Sequence, residues 1–481
     1  MAGPGVEHIF GLCGDTRLPL YDALQRTGGD LTHVLTRGER SAAYMADAYA
    51  RLSGKVGVCE GPSGGGATYI LPGVVEANES SVPALAVTTD IATTSRGRFA
   101  LTELDQEALF RPLTKWNAVP GPGTEVPGAF RDAFTAMTTG RPGTTHIGLP
   151  FDVQNQPVDE DDVWADVAFG SHPVVPPTAD VEAAARRLAE AERPLFICGG
   201  GVVIAGAESA LYALAERLGA IVATSVSGQG VIAETHPLAL GVVGSNGGTP
   251  ETRAVDQEAD VVIFVGCRAG SVTTERWRYP APGGAAVIHV DVDAAVIGIN
   301  YDADAAVVGD ARLALEGMLE ALGPGQTRVA SDAADDAAEH WGAATVAAAK
   351  DKKFAAFRAV AESDETPIRP ERLIAALQQT LPADAVIIAD AGTPWPDVSA
   401  FYEQRLAGRH FISNRAHGAP GYGLPAAFGA RYARPESAIV AVMGDGGFGF
   451  ASGELETAVR LALPLVFVIV SNSTFGWIKA G

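Results

Sequence analysis

Aromatic residues are scarce in this chain, 7% of 481 positions, and there are only four cysteines and five methionines. Cys13, Cys59, Cys198 and Cys267 stand far apart, with no CxxC pair and no metal-ligand spacing. A disulfide scaffold and a cysteine-held zinc are excluded, and buried free thiols in a reducing compartment are expected. Basic residues are outnumbered, 35 against 57 acidic ones, for a formal net charge of −22. A phosphate backbone would be repelled, so nucleic acid is not an expected partner. No apolar run reaches about 18 residues, the length that a membrane span needs. The longest strongly apolar stretch, 461–470, is interrupted by Pro464. No basic, apolar leader opens the chain, which predicts a cytoplasmic protein with no membrane partner.

What is present is small and apolar. The chain is 47% hydrophobic, with 56 glycines, a composition that suits layered α/β packing around well-buried sheets. Its length predicts about three domains of about 150 residues. Three αβ-rich blocks are expected, at 1–155, 179–325 and 367–481. The first linker, near 155–178, combines the acidic run Asp159–Asp162 with Pro173, Pro176 and Pro177. The second, near 322–366, holds an Ala- and Asp-rich stretch, 331–348, read as a surface helix. Within the middle block, helical and apolar segments alternate (181–191, 195–197, 207–218, 221–223, 261–265, 286–290), the rhythm of a doubly wound parallel sheet. Both ends look clipped. Residues 5–11 read as a first strand with no helix before it, and the sequence stops soon after Asn472, so a truncated third domain is expected.

The chemistry concentrates near the end. Gly444-Asp445-Gly446 follows an apolar strand, 438–443, and Asn472 comes 27 residues after Asp445, at the end of a second apolar strand, 465–470. Glu454 to Glu456 lie between them on an expected helix. Two strand ends then deliver Asp445 and Asn472 to one rim of a sheet, with Thr474 for a backbone carbonyl. A carboxylate, an amide oxygen and a carbonyl are hard ligands, which Mg²⁺ accepts alongside substrate phosphates. Gly444, Gly446 and Gly447 let the backbone approach a diphosphate, and the helix start beyond them favours an anion. This Gly-Asp-Gly followed by an asparagine resembles the thiamine-diphosphate signature.

A second constellation lies in the first block. Thr36-Arg37-Gly38-Glu39-Arg40 follows the strand Thr32–Leu35 and enters a helix expected over 41–51. A buried carboxylate there can hydrogen-bond a pyrimidine nitrogen, with desolvation tuning its proton affinity. The stretch from Arg37 to Arg51, together with Phe10-Gly11-Leu12-Cys13-Gly14-Asp15, Ser63-Gly64-Gly65-Gly66-Ala67-Thr68 and Phe110-Arg111-Pro112-Leu113-Thr114-Lys115, resembles the thiamine-diphosphate enzymes of the acetolactate synthase and 2-oxoacid decarboxylase superfamily. The matches occur in the family's order.

The resemblance implies three doubly wound parallel-sheet α/β domains: pyrimidine-binding, central Rossmann-like and diphosphate-binding. Glu39 falls on the residue that activates the coenzyme through its pyrimidine N1′. Asp390-Ala391-Gly392-Thr393 is similar to a diphosphate-contacting turn, with Gly392 and Thr393 as contacts. Gly418-Ala419-Pro420-Gly421 aligns with the segment beneath the pyrimidine, where the Gly418 carbonyl would accept from the 4′-amine. Pro420 stands where a bulky aliphatic normally holds the coenzyme bent. In such enzymes the coenzyme lies between subunits, so Glu39 and Asp445 would meet across the interface of a homodimer or homotetramer.

Thiamine diphosphate and Mg²⁺ are therefore the expected cofactors, and a 2-oxoacid is the expected substrate class. Which reaction follows is open at this stage. Decarboxylation with carboligation, as in acetolactate synthase, is the leading expectation. Alternatives are a benzoylformate-decarboxylase-like decarboxylase, a pyruvate-oxidase-like oxidoreductase using FAD, and an incomplete fragment. Thr102 replaces the glutamine that acetolactate synthases carry, and the loop 266–271 departs from that of FAD-binding relatives. Gly199-Gly200-Gly201 and the strand 289–293 suit a nucleotide pocket and an empty sheet equally. Glu60 and His417 are further candidates for acid/base roles, while His33 and His146 are expected to be structural.

Overall fold

A computed structural model describes residues 5–27, 31–158, 173–324, 341–392 and 394–480. The acidic run Asp159–Asp162 and most of 331–348 lie outside these residues, as does Thr393. Three sheets are present, and all are parallel. The first contains β1 (His8–Gly11), β2 (Thr32–Leu35), β3 (Gly57–Gly61), β4 (Ala84–Asp90), β5 (Trp116–Ala118) and β6 (Thr144–Pro150) in the order β2-β1-β3-β4-β6-β5. The second contains β7 (Pro194–Cys198), β8 (Ile221–Thr224), β9 (Ala239–Val242), β10 (Val261–Val265), β11 (Ala286–Asp291) and β12 (Ala305–Val308), ordered β12-β11-β10-β7-β8-β9. The third has β13 (Val386–Ala389), β14 (Phe411–Ser413), β15 (Ile439–Gly444) and β16 (Val466–Val470), ordered β14-β13-β15-β16.

Strands covered by helices on both faces need no polar side, and their sequences show it. Val-Val-Ile-Phe-Val of β10 is buried at all five positions, as is every residue of β3, β4, β6 and β7. The helices between strands each bury one stripe. Thr178–Ala189, for example, turns Val181, Ala184, Ala185 and Leu188 inward and leaves its charges outside.

The chain divides into two compact units. One joins residues 1–172 with 387–392 and 412–481, so the first and third sheets belong together. The other holds 173–386 and 393–411, with the second sheet at its centre. Inside that second unit the expected linker near 322–366 carries the helix Ala343–Ala361, with Val346 and Phe357 buried. Among the described residues no helix is long and apolar enough to cross a membrane.

Candidate active site

In a doubly wound sheet, ligands bind beyond the carboxyl ends of strands where the winding direction reverses. In the first sheet that point lies between β1 and β3, which end at Gly11 and Gly61. In the third it lies between β13 and β15, which lead into Asp390 and Asp445. The sequence motifs thus map onto the two rims that topology marks.

Glu39 opens the helix Glu39–Ser53, which starts two residues earlier than the spacing predicts. Thr36 fixes the entry, its hydroxyl donating to the Gly38 carbonyl at 3.1 Å and its N–H to Gly11 at 2.8 Å. The Glu39 side chain is buried, only 6% exposed. Among the described residues its carboxylate has no cation and no hydrogen-bond partner beyond its own backbone. Burial raises its proton affinity above the usual carboxylate range; its own backbone N–H opposes this, and the charge of Glu60 adds to it. A desolvated, unpartnered carboxylate is costly in a finished core. It is suited to accept from, or share a proton with, a ring nitrogen brought to it.

Glu60, on β3, is fully buried and already committed. Its carboxylate lies 2.6 Å from Arg17 Nε, accepts from Tyr21 OH at 2.5 Å and meets His33 Nε2 at 2.9 Å. Arg17 also donates to the carbonyls of Gly61 and Val87. Burial, followed by the charge of Glu60, pushes the Tyr21 hydroxyl well up. Thr102 lies over the glycine-rich turn, its hydroxyl 2.7 Å from that of Ser63. His146 is stacked on Phe110 at 3.5 Å and bonded to Thr88 at 2.7 Å, and burial lowers its pKa to about 3. It is a neutral structural histidine, as expected.

On the third sheet, Gly444 is in register with Val470, so both strand ends stop level. Asp445 begins the helix Asp445–Ala451, and a 3₁₀ turn, Ser452–Glu454, separates this from the helix Leu455–Arg460. The Asp445 carboxylate accepts from the N–H of Ser473 at 2.8 Å, the N–H of Gly446 at 2.8 Å and the hydroxyl of Ser471 at 3.1 Å. These donors, Ser473 foremost, hold its pKa below the usual range. Asn472 Oδ1 accepts from Thr474 N–H at 3.1 Å. Asp445, Asn472 and Thr474 are thus neighbours on one exposed rim. The described residues contain no cluster of three or more His, Cys, Asp or Glu able to hold a metal. The set on this rim has one carboxylate, which fits a cation that takes its remaining oxygens from phosphate.

Asp390 organises the neighbouring loop. It is fully buried, and its carboxylate accepts from the N–H groups of Ala391 at 2.7 Å, Gly421 at 3.0 Å and Tyr422 at 3.2 Å. Burial raises it to about 6 even though these donors oppose the shift. Gly447 sits against this carboxylate: a Cβ there would come 2.6 Å from Asp390 Oδ2. His417 and Gly418 are exposed, and Pro420 is half-buried.

The first and third blocks also pack together within the chain. Gly429, in the helix Gly423–Ala433, faces Met45 so closely that a Cβ would lie 2.0 Å from the Met45 carbonyl. Arg37 donates through its N–H to Glu454 at 2.9 Å and pairs with Glu456 at 2.5 Å, while Arg40 reaches the Phe450 carbonyl. These contacts lie at the Glu39 end of the helix. The segment 413–417 is anchored further along, by Arg51 to Ser413 and by Glu76 to His417. Arg51 lies about 18 Å along the helix axis from Glu39, at 1.5 Å per residue.

In the second unit the winding reverses between β7 and β10. There Gly199 and Gly201 close on Gly266, with a Cβ at Gly199 falling 2.1 Å from the Gly266 carbonyl. Close backbone packing alone explains these glycines.

Comparison with known proteins accords with this geometry. Residues 1–109 match the family description "Thiamine pyrophosphate enzyme, N-terminal TPP binding domain", 181–318 the central domain and 390–481 the C-terminal TPP binding domain. The chain belongs to the thiamine pyrophosphate enzyme family. It is 38% identical to a "Probable acetolactate synthase large subunit" of Methanocaldococcus jannaschii over 98% of its own length and 79% of that protein's. It is 33% identical to the "Acetolactate synthase isozyme 3 large subunit" of Escherichia coli, over 99% and 81%. With the Corynebacterium glutamicum "Acetolactate synthase large subunit" it shares 33% identity over 98% and 73%. It is a thiamine-diphosphate-dependent, acetolactate-synthase-like enzyme of the decarboxylase/carboligase class.

Sequence reasoning reached Glu39, Asp445 and Asn472 through local patterns. It missed Glu76, which carries no local signal at all. The anchoring roles of Asp390 and Tyr422 were missed too, although Asp390 directly follows a strand and opens the Asp390-Ala391-Gly392-Thr393 turn.

Proposed function

We propose that the protein is a Mg²⁺-dependent enzyme that removes CO₂ from one 2-oxoacid and joins the remainder to a second carbonyl compound. The observation that carries this reading is the buried Glu39 carboxylate, with no cation or hydrogen-bond partner among the described residues beyond its own backbone, at the end of the first sheet that topology marks for a ligand. When bound, thiamine diphosphate supplies the electron sink that lets CO₂ leave. Glu39 would share a proton with the pyrimidine N1′ of the bound coenzyme, helped by its raised proton affinity. The Gly418 carbonyl would accept from the 4′-amine, and Pro420 would offer an apolar wedge. Asp445, Asn472 and the Thr474 carbonyl would hold Mg²⁺ and the diphosphate, with Gly392 and the glycines 444, 446 and 447 as further contacts. His417 is exposed next to Gly418 and is the candidate acid/base group on this loop. Glu60 is fully buried and enclosed by Arg17, Tyr21 and His33, which leaves it no direct access to a substrate.

The complete site takes its two halves from two copies of the chain. This arrangement follows the resemblance to enzymes whose coenzyme lies between subunits.

The deciding experiment supplies the protein with thiamine diphosphate, Mg²⁺ and a panel of 2-oxoacids, following CO₂ and acyloin together. The expected result is acyloin formed in step with CO₂. Release of CO₂ with free aldehyde and no acyloin would overturn carboligation. No CO₂ from any 2-oxoacid would overturn the substrate class.

A further inference from the structure

The loop from Ala416 to Tyr422 is held at both ends by buried carboxylates from different parts of the fold. At its far end Asp390 accepts from Gly421 and Tyr422. At its near end Glu76, on the helix Leu71–Glu79, accepts from the N–H groups of Ala416 at 3.2 Å and His417 at 2.7 Å. Between the clamps, the Asn414 amide donates to the Ala419 carbonyl at 2.6 Å.

Glu76 is fixed in turn. Arg51 donates to it at 3.0 Å and to Asp47 at 3.0 Å, and reaches the Ser413 carbonyl at 3.2 Å. Ser80 donates to it at 2.9 Å, and Tyr422 OH donates to Asp47 at 2.8 Å. Asp47, Glu76 and Tyr422 are fully buried, and the Arg51 side chain is 5% exposed. A buried ion network is not an efficient way to gain stability, because desolvation offsets most of the attraction. Its advantage is geometric: a charge in low dielectric tolerates few alternatives, and a bidentate carboxylate fixes two adjacent N–H groups in direction as well as distance.

We propose that Glu76 is a positioning residue for coenzyme binding, setting where the Gly418 carbonyl meets the pyrimidine amine. This inference rests on the thiamine-diphosphate reading above. Glu76 itself touches neither coenzyme nor metal in this scheme. Its effect must therefore fall on the pyrimidine and spare the diphosphate, whose proposed holders lie beyond β13, β15 and β16.

The test uses full-length protein and two ligands with Mg²⁺: thiamine diphosphate, and inorganic pyrophosphate, which has the anion but no pyrimidine. Glu76→Gln keeps the shape, removes the charge and turns an NH₂ toward a loop N–H. Glu76→Asp keeps the charge but withdraws its reach, and is read in the same way should the first variant fail to fold. The expected result is a dissociation constant for thiamine diphosphate raised about tenfold, the scale of one charge-assisted hydrogen bond, with pyrophosphate binding unchanged. Equal weakening of both ligands would mean a merely structural role and would overturn the proposal, as would no weakening of either. Failure of the unmutated protein to bind thiamine diphosphate would instead overturn the underlying functional reading.

Discussion

Asp256 shows what a carboxylate does when the fold buries it without a partner. It is 2% exposed, its Oδ1 has no hydrogen bond, and burial, with the nearby charge of Glu275, raises its pKa to about 7. The raised value means that the folded state binds a proton more tightly than the unfolded chain. This contribution is favourable below the unfolded value near 4 and is lost as pH rises through about 7. The gap corresponds to a cost on the order of 4 kcal/mol, fully expressed above pH 7. Asp256→Asn is therefore expected to leave stability nearly unchanged at pH 4 and to raise it at pH 8. Denaturant titrations at the two pH values check this. Glu39 shares the same physics but sits on a rim marked for a ligand, so its cost can be relieved by binding. Nothing in the described structure offers Asp256 that relief.

Among elements, the helix Glu39–Ser53 has the most demanding surroundings. Twelve of its fifteen residues are buried, and three glycines on neighbouring segments let it be approached: Gly57, Gly73 and Gly429. Gly429→Ala sets two effects against each other. Alanine improves helix propensity by about 0.5–1 kcal/mol. Its Cβ, 2.0 Å from a backbone carbonyl, forces the helices apart, and overpacking of this kind costs about 1–3 kcal/mol. Backbone cannot yield as a side-chain tip can, so the second effect wins. The expected outcome is a net loss of about 1–2 kcal/mol in chemical denaturation. Elements also differ in how legible they were. Strands 32–35 and 261–265 match the pattern reading to the residue; 261–265 does so because a strand buried on both faces is one apolar run, whereas 32–35 is an edge strand with only Val34 buried. The helix Ala343–Ala361 was partly hidden in an expected linker. Its buried positions, Val346, Lys353, Phe357 and Ala361, form too thin a stripe on an alanine-rich helix, and one of them is a lysine packed over the rings of Phe354 and Phe401.

For the whole molecule, the central question is which copy supplies which half of the site. Glu39→Gln and Asp445→Asn should each inactivate the enzyme when alone. If the halves come from two copies, mixing the two variants through an unfolding and refolding cycle creates assemblies with one intact site, and activity returns. If both halves belonged to one chain, every site would carry a defect and no activity would return. The first outcome is expected, measured as acyloin formation by the mixture against each variant refolded alone.

The sequence by itself determined the three αβ blocks, the glycine–acid–glycine rim with its asparagine, and the glutamate at a strand-to-helix turn. The rim and the glutamate turn are each written within about thirty residues, where strand, turn and helix start follow from local chemistry. Only the tertiary structure decided what surrounds them. It enclosed Glu60 with Arg17, Tyr21 and His33, left Glu39 buried with no partner beyond its own backbone among the described residues, and hung His417 from Glu76, 341 residues away in the chain. Desolvation and charge partners arise from packing between segments that carry no mark of one another. Spacing along the chain can name an acid, but the fold sets its proton affinity and its neighbours.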